Sequence, residues 1–148
     1  MSKNKILIIG ANGQIGSVLT TVLQSSYGIE NVVASDIRKP PSPTGIFEYI
    51  DVLNASRIAE VIDKYGITQI YHLAAILSAK GESNPKGSWD INMNGLLNIF
   101  EISKEKNIQR VFYPSSIAVF GNNAPSKNTP QETNLKPSTV YGLSLIHI

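Results

Sequence analysis

The sequence predicts an α/β fold, a doubly wound parallel sheet with helices on both faces, and three observations predict it. Short apolar, β-prone runs alternate with segments whose apolar residues recur at the spacing of one helical face. The first run, Ile6-Leu7-Ile8-Ile9, enters a helical segment through a glycine-rich turn, Gly10-Ala11-Asn12-Gly13-Gln14-Ile15-Gly16. The second, Asn31 to Asp36, ends on a carboxylate twenty positions beyond Gly16. The order β-α-β-(loop)-β-α-β-α-β implies strand order 3-2-1-4-5.

A strand that runs into a helix through such a turn points backbone N–H groups and the positive end of the helix dipole at one spot, where a phosphate or pyrophosphate is favoured. Gly10 allows the tight turn, Gly13 lets a backbone approach the pyrophosphate, and Gly16 lets helix and strand pack closely. The helix that follows carries Ile15, Val18, Leu19, Val22 and Leu23 at the spacing of one face. Asp36 stands where a dinucleotide fold places its ribose-binding acid. Its carboxylate can accept hydrogen bonds from the adenosine ribose hydroxyls and would repel a 2′-phosphate, so NAD is favoured over NADP. Arg38 reads either as an attractor of such a phosphate or as a solvated surface arginine.

Lys39 to Gly45 holds three prolines in seven residues and is a loop. Phe47 to Ile50 reads as a strand ending at Asp51-Val52, followed by a helix from about Asn54 that buries Ile58, Val61, Ile62 and Tyr65. Asp51 suits recognition of an adenine amino group and suits equally an interaction with the helix dipole. Thr68 to Leu73 is the next strand, running into Ala74-Ala75, small residues that let a backbone lie close to a cofactor. His72 reads as a hydrogen-bonded core histidine, because no second histidine or acid stands at metal-ligand spacing, and no metal site is expected. Ser78 to Pro85 is a polar loop where an α/β fold presents substrate-binding groups. A helix from about Ser88 to Lys106 places Met93, Leu96, Leu97 and Phe100 on one face, with Asn92 turned inward and needing a backbone or water network. Gln109 to Pro114 is the fifth strand, delivering Ser115-Ser116 to the carboxyl edge of the sheet, and Asn122 to Pro137 is a surface loop.

The 148 residues suffice for one domain, which buries about 70% of its unfolded surface. No cysteine is present, which excludes a disulfide scaffold and cysteine-ligated zinc or iron–sulfur sites. A net charge of +2 without a run of Lys or Arg offers no nucleic-acid footprint. No apolar stretch approaches 18 residues and no signal-peptide pattern precedes the first strand, so the expectation is a soluble, unprocessed, cytoplasmic protein without a membrane partner.

The set Gly10/Gly13/Gly16, Asp36, Asp51-Val52, His72-Leu73-Ala74-Ala75, Asn92, Ser115 to Gly121 and Tyr141 resembles the extended short-chain dehydrogenase/reductase family, with its epimerases, dehydratases and dehydrogenases, over Lys5 to Ser144. More specific strings resemble the NAD-dependent L-threonine 3-dehydrogenases within it: Ile76-Leu77-Ser78-Ala79, Asn84-Pro85 with Trp89-Asp90, Pro114 to Gly121, Asn128 to Gln131, and Pro137 to Gly142. The resemblance implies a Rossmann fold with NAD as cofactor, held by Gly10, Asn12, Gly13, Gln14, Ile15, Gly16, Asp36, Asp51, Val52, Leu73, Ala74 and Ala75. It implies oxidation of the L-threonine 3-hydroxyl to 2-amino-3-oxobutanoate and a homodimer in the full-length protein. A UDP-sugar 4-epimerase or dehydratase of the same family, and a non-catalytic NAD-binding protein, are the competing readings.

Taking a hydride from a carbinol carbon requires removal of the hydroxyl proton, and the resemblance assigns that to Tyr141. A tyrosine has a pKa near 10, so a tyrosinate base near pH 7 demands about 4 kcal/mol of preferential phenolate stabilisation. The family supplies much of it from a lysine four residues on, on the same helical face. Ser116 matches the serine that hydrogen-bonds the substrate oxygen, with Ser115 as fallback; Asn92 matches an inward helix asparagine, and Ser78 a loop serine near substrate. Position 145 is leucine, so the chain lacks that cation. The ending Leu143 to Ile148 is what the transposon-end sequence CTGTCTCTTATACACATC encodes, so residues 143–148 are read as an adaptor-derived tail. On that reading residues 1–142 form a partial NAD-binding domain, truncated after the fifth strand and lacking the C-terminal substrate-binding region, and the chain itself is inactive.

Overall fold

A computed structural model describes residues 4–40, 42 and 44–146, with side chains except those of residues 79 and 80. Pro41 and Pro43 of the predicted proline loop, and His147 and Ile148 of the predicted tail, lie outside the described residues. The chain divides into two compact units: residues 1–74 with 95–113, and residues 75–94 with 114–148.

The first unit is built on five parallel strands in the order β3-β2-β1-β4-β5, as the sequence predicts. β1 spans Ile6–Ile9, β2 Val32–Asp36, β3 Ile46–Tyr49, β4 Gln69–His72 and β5 Arg110–Phe112. Ile6 pairs with Val32 on one side and with Gln69 on the other, which makes β1 the central strand. All four of its residues are apolar and buried, as a parallel strand covered on both faces requires. Helix α1 (Gln14–Tyr27) connects β1 to β2, and α2 (Ala55–Tyr65) connects β3 to β4. Helix α5 (Gly95–Glu105), which follows two short helices of the second unit, leads into β5. Right-handed crossovers put α1 on one face of the sheet and α2 with α5 on the other. Lys106 donates to Asp63 over 2.7 Å between the ends of that second pair. On the α1 face Ile6, Ile8, Leu23, Val32 and Ala34 form the core with Leu19 and Phe47 against them.

The strand after the glycine turn and the helix from Asn54 form as expected. The Asn54 side chain caps α2 by accepting from Arg57 N at 3.0 Å, and Gly66, with φ of 61°, closes it. On edge strand β3, Glu48 is drawn inward by Arg57, Lys64 and Tyr65, with Tyr65 Oη donating at 2.6 Å and Lys64 Nζ at 2.8 Å. Burial pushes this carboxyl up, but the bonds from Lys64 and Tyr65 and the charges of Lys64 and Arg57 outweigh it and hold it below the usual range.

Two apolar faces differ from expectation. On α1, Ile15, Val18 and Val22 are 62%, 65% and 53% exposed, and the buried stripe runs instead through Gly16 and Leu23. On α5, Leu97 and Phe100 are exposed and Leu96, Ile99 and Ile102 are buried. Spacing identifies a helix, but which part of a wide apolar stripe faces the sheet depends on the neighbours. The predicted single helix from Ser88 to Lys106 is also three pieces: α4 (Pro85–Trp89), a π-helical turn at Asp90–Asn94, and α5. The polar stretch before it folds as a helical turn, α3 (Ser78–Gly81).

The second unit holds α3, α4 and the π-helical turn, a 3-10 turn at Ile117–Val119, and helix α6 (Val140–Leu145). Among its described residues, 122 to 137 carry no helix or strand, in keeping with a surface loop.

Candidate functional site

In the first unit the chain leaves β1 through Gly10, whose φ of +90° favours glycine. Gly10 N and Ala11 N both donate to Ser35 O at 2.9 Å, tying the turn to β2. A Cβ on Gly10 would lie 2.7 Å from Ala74 N, and one on Gly16 would lie 2.2 Å from Gly10 O. A Cβ on Gly13 would meet only Gly10 O, at 3.3 Å. All three glycines therefore face protein backbone, Gly10 and Gly16 at distances no Cβ tolerates and Gly13 at a close but single contact. Gly13 is the N-cap of α1 and offers no side chain to the first-turn amides. A helix of 14 residues thus opens on uncapped N–H groups with its dipole behind them, a setting for an anion.

Asp36 closes β2 beside this turn. Its Oδ2 accepts from Asn12 N at 3.0 Å and its Oδ1 from Arg38 N at 3.2 Å, while the Asn12 side chain donates to Arg38 O. Each carboxylate oxygen keeps a lone pair for a further donor. The backbone of Gln14 and Ile15 starts α1 next to Gly13, and the Ile15 side chain is exposed. After β3, Asp51 Oδ1 accepts from Leu53 N at 3.0 Å, forming a turn ahead of the Asn54 cap. Val52 is buried: a Cβ on Gly95 would lie 2.7 Å from its Cγ2, and its carbonyl accepts from Asn98 at 2.9 Å. At the end of β4, Leu73 N donates to Ile9 O at 2.8 Å and Ala74 follows against Gly10. Ala75 begins the second unit.

His72 corrects the sequence reading. It is a core residue, fully buried, but neither ring nitrogen has a hydrogen-bond partner among the described residues. It stacks on Tyr113 instead, with ring centroids 5.2 Å apart and planes 25° off parallel. Burial lowers its pKa to about 4. Among the described residues no cluster of three metal-ligating side chains occurs.

In the second unit, Ser78, Ser116 and Tyr141 line one recess of about 430 Å³. Ser78 opens α3. Ser116 is the N-cap of the 3-10 turn, its Oγ accepting from Ala118 N at 3.3 Å. Tyr141 stands in the first turn of α6, whose cap Thr139 accepts from Gly142 N at 3.0 Å. Two glycines bring the serine and tyrosine segments together: a Cβ on Gly142 would lie 2.3 Å from Ala118 O, and one on Gly121, where φ is +69°, 1.7 Å from Lys136 O. Ser115 is exposed and does not line the recess, whereas Ser116 does.

Asn92 does not line the recess either. It is fully buried in the π-helical turn, its Oδ1 accepting from Ile76 N at 2.8 Å and its Nδ2 donating to Ile76 O at 3.0 Å and to Ser144 Oγ at 3.1 Å. The inward amide expected from the sequence finds its network in backbone and one hydroxyl. Leu145, on α6 four residues after Tyr141, is buried and apolar. Sequence reasoning missed Asn122, Ser138 and Thr139, which complete the polar wall of the recess. Ser138 and Thr139 lie in the Pro137 to Gly142 string without being singled out by it, and the sequence marks Asn122 only as the start of a surface loop.

Residues 6–148 match the NAD dependent epimerase/dehydratase family. The chain belongs to that family. One relative, an uncharacterised epimerase/dehydratase of Staphylococcus saprophyticus, is 42% identical over 146 residues, which cover 96% of this chain and 45% of the relative. Two solved structures of the same fold are similar. An L-threonine dehydrogenase of Clostridium difficile is 47% identical with a TM-score of 0.92, over 97% of this chain and 46% of that one. An L-threonine dehydrogenase of Cupriavidus necator, in its holo form, is 46% identical with a TM-score of 0.91, over 95% and 46%. The chain thus spans about half the length of the relatives it matches. Among the described residues no helix is long and apolar enough to cross a membrane.

Proposed function

We propose that these residues are the nucleotide-binding and proton-transfer part of an NAD-dependent L-threonine 3-dehydrogenase. The observation that carries the reading is the recess that gathers Ser78, Ser116 and Tyr141, three hydroxyls on a lining that among the described residues holds no charged side chain. Identities of 46% and 47% to L-threonine dehydrogenases support the choice of substrate over a sugar nucleotide.

The cradle residues fit NAD. A bare Gly13 cap admits a pyrophosphate to the start of α1, and Asp36 has acceptor capacity for ribose hydroxyls but repels a 2′-phosphate. When bound, NAD supplies the hydride acceptor. In the proposed reaction Tyr141 takes the proton of the threonine 3-hydroxyl as the C3 hydride departs, giving 2-amino-3-oxobutanoate. Ser116 donates a hydrogen bond to the reacting oxygen, Ser78 faces the same substrate, and Asn92 holds the helix of Tyr141 in place. Leu145 supplies no positive charge to favour the tyrosinate, so this chain binds NAD without turnover at neutral pH.

A chimera tests the reading: residues 1–142 replace their counterpart in the Clostridium difficile enzyme, and absorbance at 340 nm follows NADH. The expected result is NADH formation with L-threonine and none with UDP-galactose. No NADH with L-threonine, in a chimera that binds NAD, would end it.

A further inference from the structure

Among the described residues, hydrogen bonds from Asn92 and from Glu82 both tie the segment carrying Ser78 to the helix carrying Tyr141. At the near end Asn92 grips both backbone groups of Ile76 and reaches Ser144 on α6. At the far end Glu82, just past α3, accepts the backbone N–H of Val140 through Oε1 at 2.8 Å, across 58 residues. Val140 is the first residue of α6 and precedes Tyr141. Its N–H is one of the donors that a helix start leaves without an internal partner, and a carboxylate there makes a charge-assisted bond. The backbone of Glu82 is itself held, since Glu82 N donates to Ser78 O at 3.0 Å, and the flanking residues are tied by Asn84 N donating to Gly81 O at 3.3 Å.

We propose that Glu82 is a positioning residue for the Ser78 and Tyr141 walls of the recess: by holding Val140 N–H it fixes the turn of Ser78 against the first turn of α6. The inference rests on the reading of Tyr141 as the proton acceptor only for its functional meaning; the clamp itself is a matter of geometry. Without Glu82, the start of α6 loses its tie to the turn of Ser78, and the hydroxyls of Ser78 and Tyr141 lose their fixed separation. A glutamine keeps an acceptor oxygen at the same reach and retains the clamp.

Backbone amide exchange and chemical shifts by NMR on the 148-residue chain test this. Glu82→Ala is expected to speed exchange at Val140 by about tenfold and to shift the amide signals of Ser78 and Tyr141, while the protection of Ile8 and Val33 stays as it was. Glu82→Gln restores Val140 protection and both signals. Val140→Pro serves as a second variant, because proline suits the first helical position and Thr139 already has the extended backbone that precedes one. By removing the donor it reproduces the Ser78 and Tyr141 shifts of Glu82→Ala, and the double variant adds nothing to them. Unchanged Ser78 and Tyr141 signals in either single variant, or a Glu82→Gln chain that behaves as Glu82→Ala, would overturn the proposal. A chimera inactive on threonine would leave these results standing, so the two failures are told apart.

Discussion

Asn92 Nδ2 and Ser144 Oγ meet at 3.1 Å across 52 residues, and Ser144 Oγ in turn donates to Tyr141 O at 2.8 Å. One buried amide therefore ties the π-helical turn, the Ile76 backbone and the helix of Tyr141. Replacing it with an apolar side chain of similar size strands a half-buried N–H and carbonyl at Ile76. Asn92→Leu is expected to lower the unfolding free energy by about 2–4 kcal/mol, measured by urea denaturation. A loss below about 0.5 kcal/mol would mean that the network is incidental.

His72 makes stability depend on pH with a definite sign. Its pKa in the folded chain is about 4, against about 6.5 when unfolded, because burial penalises the charged ring. The unfolded chain thus binds the extra proton first. The stability contribution of His72 is full above pH 6.5 and is lost as pH falls through 4, by about 3 kcal/mol. His72→Phe preserves a ring to stack on Tyr113 and removes the titration. The difference in unfolding free energy between the two chains should tilt against wild type from pH 6.5 to pH 4; a flat difference would refute the assignment. Glu48 also loses stabilisation on acidification, since its pKa is lowered, but equally in both chains.

Gly16→Ala should remove the dinucleotide site without unfolding the sheet. The added Cβ would sit 2.2 Å from Gly10 O and 2.8 Å from Ala11 Cα, and neither partner is a movable side chain. The turn must open, misdirecting the amides at Gly13 and Gln14. NAD affinity by calorimetry is expected to fall at least about tenfold, whereas retained affinity would show that the turn is not the anion cradle.

The sheet order and the glycine turn were legible because their signals are local: buried parallel strands are short apolar runs, and Gly10, Gly13, Gly16 and Asp36 carry their meaning in spacing. Tyr141 and Ser116 were legible through the strings around them. The exposed faces of Ile15, Val18 and Val22 on α1, and of Leu97 and Phe100 on α5, were not, since packing partners choose the buried part of an apolar stripe. The π-helical turn at Asp90–Asn94 has no pattern of its own; it forms where Asn92 is pulled onto Ile76. Glu82 and Val140 meet only through tertiary structure, and no periodicity links residues 58 apart.

The central claim is an NAD site built by the glycine turn with Asp36, and parallel titrations of the chain with NAD and NADP by calorimetry test it most directly. Asp36 already holds Asn12 N and Arg38 N, and in the proposed site its charge would face the ribose hydroxyls. The account predicts that NAD binds at least about tenfold more tightly than NADP, and that Asp36→Asn narrows the gap. Equal binding of the two, or tighter binding of NADP, would contradict it.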